Sequence, residues 1–119
     1  MSDVSDFIRE DVPPSGPGCL DCEKIGSWWL HLRRCALCGH VGCCDDSLHK
    51  HATAHAHASG HRVMQSFEPG EDWFWDFDTE TAFEGPLLAP PRSHPTSQTT
   101  PGPADRVPAD WQEQLARNA

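Results

Sequence analysis

Residues Cys19 to His61 read C-L-D-C-E-K-I-G-S-W-W-L-H-L-R-R-C-A-L-C-G-H-V-G-C-C-D-D-S-L-H-K-H-A-T-A-H-A-H-A-S-G-H. Two C-x2-C knuckles, Cys19/Cys22 and Cys35/Cys38, are followed by Cys43 and then by His51, His55 and His61 in an H-x3-H-x5-H run. Two cysteines three apart can wrap one tetrahedral metal, with the backbone N–H groups between them turned toward the thiolates. The repetition of the knuckle and the spaced histidines point to zinc.

The rest of the chain makes metal necessary. Leu, Ile, Val and Phe make up roughly a sixth of the sequence, a fraction that fails to support a folded chain of high net charge without help. The chain has 119 residues and a formal charge of -9. That is room for one domain with a thin core, which small proteins supplement with metals or disulfides. The N-terminus M-S-D-V-S-D-F-I-R-E-D has no basic region, apolar run or small-residue cleavage site, so no secretory signal is expected. No stretch approaches the apolar length of a membrane span. A cytoplasmic location follows as the expectation, and clustered thiols there are metal ligands rather than bridges. Nucleic-acid and anionic-membrane partners are disfavoured by the acidic balance, which ligation of two zinc ions by five thiolates would not reverse.

Taken in order, residues 1–18 are acidic and then Pro/Gly-rich and read as a mobile leader. Ser27 to Arg34 alternates and reads as a strand, with Trp28, Leu30 and Leu32 on one face and Trp29, His31 and Arg33 on the other. Asp45, Asp46 or Ser47 can cap a helix over Leu48 to Ala58, closed by Gly60. Arg62 to Glu68 and Asp72 to Phe77 read as two further strands. The domain is expected to span 19–84 and to be α+β in class, strands with one main helix. Residues 85–119 form a Pro/Ser/Thr-rich tail expected to be disordered, apart from a short helix over 109–118 with Trp111 and Leu115 on one side.

Eight good ligands fill two tetrahedral sites: Cys19, Cys22, Cys35, Cys38, Cys43, His51, His55 and His61. Cys44, His31, His40, His49 and His57 are then surplus, because a structural zinc stops at four. Spacing leaves two assignments open. A sequential one puts the four knuckle cysteines on one metal; an interleaved one shares the pairs between metals.

The run C-x2-C, x12, C-x2-C-G-x-V-G-C, x7, H-x3-H-x5-H resembles the UBP-type zinc finger, over about residues 19–77. That family includes the ubiquitin-binding finger of deubiquitinases and of a cytosolic histone deacetylase, together with short stand-alone bacterial proteins. The resemblance implies a small antiparallel sheet packed on helices, two zinc ions per chain and interleaved ligands. Cys19, Cys22, Cys43 and His51 would hold the first zinc, and Cys35, Cys38, His55 and His61 the second. Members that grip the free C-terminal tail of ubiquitin carry C-G-R where this chain has Cys43-Cys44-Asp45, and Trp where it has Arg33. They carry W-C-Y-x-C where this chain has Trp75-Asp76-Phe77. A carboxylate at Asp45 repels a carboxylate tail. The expectation is a retained scaffold with the ubiquitin-tail grip lost.

The aromatic residues Trp28, Trp29, Trp73, Phe74, Trp75 and Phe77 first suggest a mini-core. A chain this small cannot bury all five of its Trp, so part of the cluster, with Trp73, Trp75 and Phe77 foremost, is expected to form a groove for an unknown protein or peptide. Arg33, Arg34 and Arg62 could lend it positive charge. Catalysis is disfavoured: His51 is followed by Ala52 rather than the Glu of H-E-x-x-H, and a saturated site has no place for a reactive water. Zinc buffering or sensing through the surplus His and Cys44 is the alternative, a zinc-dependent hydrolase a more remote one.

Overall fold

The computed structural model describes residues 4–68, 70–91 and 100–117. After a 3-10 turn at Val4–Phe7 come α1 (Leu20–Ile25), β1 (Leu32–Cys35), β2 (Val41–Cys43), α2 (His51–Ser59), β3 (Val63–Ser66), β4 (Phe74–Asp76), β5 (Thr81–Phe83) and α3 (Trp111–Arg117). The strands form one antiparallel sheet in the order β2-β1-β3-β4-β5.

Register fixes the two faces. Arg33 lies opposite Gly42 and Ser66, Cys35 opposite Met64, and Met64 opposite Trp75, so these residues share the face on which α2 sits. Gly42 permits that packing. A Cβ there would stand 2.7 Å from the Ala52 backbone nitrogen and 2.9 Å from its Cα, at the start of α2. The opposite face carries two apolar clusters. One gathers Cys19, Cys22, Trp29, Leu32, Val41, Cys43 and Phe67, so ligand cysteines are part of the core itself. The other gathers Ala36, Val63, Phe74 and Leu88, with Val4, Phe7, Ile8 and Phe83 packed against it. Leu88, past the limit at 84 drawn from composition, is 3 % exposed.

The strand expected over Ser27 to Arg34 is displaced to Leu32–Cys35, and its alternation fails, because Trp28 and Trp29 both turn inside. The backbone of Trp29 and Leu30 is satisfied outside the sheet. Trp29 exchanges two hydrogen bonds with Gly102, at 2.8 and 2.9 Å, and the Leu30 N–H donates to Ser47 Oγ at 2.9 Å. The main helix begins at His51 rather than Leu48, after Lys50 takes a left-handed φ of 53°, and ends at Gly60 with φ 76°. None of the expected capping side chains sits at its N-cap. Instead the His51 N–H donates to Cys43 Sγ at 3.2 Å, so a metal-site sulfur terminates the helix.

Residues 4–18, read from composition as a leader, run against the sheet. The Arg9 N–H donates to the Ala36 carbonyl and the Ser15 N–H to the Gly39 carbonyl, both at 2.8 Å. Gly39, at φ 83°, leaves room for this: a Cβ there would meet the Pro13 carbonyl oxygen at 2.1 Å. Arg34 completes the attachment. Fully buried, it donates to the Val12 carbonyl at 2.8 Å and the Ala89 carbonyl at 3.3 Å. Of the tail, 92–99 and 118–119 lie outside the described residues, while 100–117 touch the domain through Gly102 and through Arg106, whose guanidinium is 3.0 Å from Glu23 and stands over Trp29. Among the described residues, no helix is long and apolar enough to cross a membrane.

Candidate metal centre and adjoining cleft

The first quartet begins on α1, a helix the sequence reading did not foresee. Cys19 is its N-cap: its Sγ accepts the Cys22 N–H at 3.4 Å, a role usually taken by a serine or aspartate oxygen. Asp21 and Glu23 lie in the first turn, and Gly26 closes the helix at φ 67°. Those were signals of a helix, hidden because the cap is a cysteine. Cys43 arrives on β2 and His51 on the first turn of α2. His51 Nδ1 lies 3.2 Å from both Cys19 Sγ and Cys22 Sγ and 3.6 Å from Cys43 Sγ. The Cys22 and Cys43 sulfurs are 3.9 Å apart.

The second quartet joins the end of β1 to α2. Cys35 Sγ is 3.5 Å from His61 Nδ1, and Cys38 Sγ is 3.3 Å from His55 Nε2. Within each group all the donor atoms lie within 4.8 Å of one another. A tetrahedral zinc with sulfur at about 2.3 Å and nitrogen at about 2.05 Å separates its donors by roughly 3.3–3.8 Å, so both groups have the size of a zinc coordination shell. The grouping is the interleaved one, since His51 and His55, one helical turn apart, face different quartets. The sequential grouping of the four knuckle cysteines does not occur.

Left to themselves, these thiols compete for negative charge. Cys22 is pushed up by hydrogen bonding with Cys19 and Cys43, with burial adding to it. Cys43 is drawn down to about 2, chiefly by hydrogen bonds from Cys19 and Cys22, with the His51 N–H assisting. Burial pushes Cys35 up to about 11. A dication resolves that competition by allowing every thiol in the group to ionise. His55 is held down to about 4, first by burial and then by repulsion from His40 and His61, which keeps its ring neutral for ligation.

Several surplus side chains brace the quartets. His40 Nε2 is 2.8 Å from Asp21 Oδ2, and its ring stacks on His55 at 4.1 Å, connecting α1 to the second quartet. His49 stacks on His51 at 5.3 Å and is 2.9 Å from Ser27 Oγ. His31 is 2.8 Å from Glu68, which also accepts the Leu32 N–H. Cys44 is buried with its sulfur 3.5 Å from Ser47 Oγ.

The expected aromatic groove residues divide. Trp28, Trp29 and Phe74 go inside, whereas Trp73, Trp75 and Phe77 are half-buried and line a cleft of about 190 Å³. Ala52 and Met64 lie at its floor, and Arg33, Asp45, Asp46 and Thr53 also border it. Thr53 Oγ1 donates to Asp45. Arg33 places its guanidinium 4.8 Å from the centre of Trp73. Of the three arginines expected to serve the groove, only Arg33 reaches it. Arg34 is buried against carbonyls, and Arg62 lies beside Asp76 and Asp78 with its guanidinium over Phe7. The floor residues Met64 and Ala52, invisible as site residues in the sequence, also border a small gap against Cys35, His55 and His61. The second quartet therefore underlies the cleft.

The chain matches the model of a zinc finger found in ubiquitin hydrolases and other proteins, over residues 19–88. It belongs to that family. A Rhodopseudomonas palustris protein solved by solution NMR has the same fold, with a TM-score of 0.64 and 46% sequence identity. The likeness covers 85% of this chain and 95% of that one. No curated protein matches. With the family established and both donor groups of zinc size, the finger carries two zinc ions per chain.

Proposed function

We propose that this finger is a non-catalytic recognition module in which two zinc ions order a scaffold and the aromatic cleft receives a segment of another protein. In this reading Cys19, Cys22, Cys43 and His51 hold one zinc, and Cys35, Cys38, His55 and His61 hold the other. What carries it is the half-exposed wall of Trp73, Trp75 and Phe77 beside a metal-braced helix. A domain short of apolar residues that leaves three aromatics at an open cleft has an interaction surface to preserve. Bound zinc supplies structural cross-linking here. Four protein donors per metal leave no coordination position for substrate or water, the ground for assigning no catalysis. None of the six cysteines is in a disulfide, which suits a reducing compartment, and a cytoplasmic place fits them.

The buffering alternative has less to stand on. Of its spare donors, His31, His40, His49 and Cys44 are engaged with Glu68, Asp21, Ser27 and Ser47, which leaves it the exposed His57.

Titrating the zinc-loaded chain with an array of short peptides tests the reading, with indole and amide NMR signals as the readout. Binding is expected to shift the signals of Trp73, Trp75 and Phe77, and Trp75→Ala to abolish the shifts while two zinc per chain remain. An array in which no peptide moves these signals counts against it. Cobalt substituted for zinc is expected to show two tetrahedral, water-free spectra.

A further inference from the structure

The charge around the cleft distinguishes among the segments it can take. Asp45 and Asp46 are exposed on one side, and the half-exposed aromatic wall supplies ring faces with negative quadrupoles. Among the described residues, the one cation bordering the cleft is Arg33, which already stands over Trp73, so the cleft accommodates a guanidinium on an aromatic face. Arg34 and Arg62 are committed elsewhere. Two carboxylates and one arginine leave the rim net negative, on a chain whose formal charge is -9.

Resting on the reading of the cleft as a protein-segment site, we propose that its occupant is a cationic side chain, Arg or Lys, of a basic peptide. The stem of that side chain lies over Met64 and Ala52. Its charged head meets the face of Trp75 or Phe77 and the carboxylates of Asp45 and Asp46. A free C-terminal carboxylate fits badly, since it would have Arg33 on one side and two like charges on the other.

The probes are three short peptides offered to the full-length zinc-loaded chain. The first is acetyl-Gly-Gly-Arg-Gly-Gly-amide, the second carries citrulline in place of arginine, and the third is acetyl-pentaglycine with a free C-terminal carboxylate. The arginine peptide is expected to shift the Trp75 and Thr53 signals, the citrulline peptide to bind at least tenfold more weakly, and the binding to weaken with added salt. The double variant Asp45→Asn, Asp46→Asn is expected to lose about tenfold in affinity for the arginine peptide while keeping two zinc and an unchanged melt. Binding of the carboxylate peptide in preference to the arginine one overturns the cationic assignment and leaves the cleft as a recognition site. Equal binding of arginine and citrulline peptides overturns it as well. If none of the three perturbs Trp75, the assignment falls; the broader recognition reading falls only if the peptide array also fails.

Discussion

The two quartets contain the same two kinds of donor and sit in opposite surroundings. The first has three cysteines that are fully buried, in one cluster with Trp29, Leu32, Val41 and Phe67, and only His51 approaches the surface. In the second, Cys38 is exposed and both histidines are half-exposed, with only Cys35 inside. The first quartet is therefore a core with a metal in it, and the second is a staple at the surface beneath a cleft. Each structural zinc contributes an apparent ~10–16 kcal/mol at neutral pH, comparable to the whole net stability of an ordinary domain. What differs is how much packing fails when each is lost.

Disrupting the two groups separately gives the largest effect. Cys22→Ser is expected to abolish the cooperative thermal transition, since it opens the quartet around which the apolar cluster is assembled. Cys38→Ser is expected to lower the Tm yet retain one zinc and the near-UV signal of buried Trp29. Equal damage from both would erase the distinction drawn here. In a chelator time course the same asymmetry predicts two phases, the faster belonging to the exposed quartet and accompanied by changes at Trp75.

Acid sharpens the comparison further. His55 is depressed to about 4, so the unfolded chain, with its histidines near the ordinary value of about 6.5, takes up a proton that the folded chain refuses. The stability tied to His55 is fully present above about pH 6.5 and is lost as the pH falls toward about 4. Proton competition for the ligand acts in the same direction. Zinc release measured from pH 7.5 to 4 is expected to begin at the second quartet, and release that starts at the buried group would contradict this order.

The smallest of these effects is steric. Gly42→Ala forces a methyl group toward the Ala52 backbone, and overpacking of this kind costs about 1–3 kcal/mol. Because the helix it displaces holds His51 near its start and His55 one turn later, the melt is expected to shift while the zinc count stays at two. An unchanged Tm would mean that α2 can slide without loss.

The metal framework was legible because ligand spacing is a local property: C-x2-C and H-x3-H can be read without knowing where the chain goes next. The site assignment was not local. It needed either the family likeness or the folded chain, because sulfur spacing alone permits two groupings. The strand expected over Trp28 and Trp29 was misplaced for a related reason. Alternation assumes a partner strand, and here the partners are Gly102 and Ser47, far along the chain. Edge strand β5 was missed altogether. Thr81-Ala82-Phe83 carries too little apolar pattern, and stacking of Phe83 on Phe74 at 5.4 Å only becomes visible in three dimensions. The cleft floor was missed because Ala52 and Met64 have no chemistry of their own to advertise.

Arg34 has an architectural consequence. By binding the carbonyls of Val12 and Ala89 at once, it draws the incoming and outgoing ends of the finger to the two sides of a single guanidinium. Loss of that one side chain would release both stretches from the sheet at once.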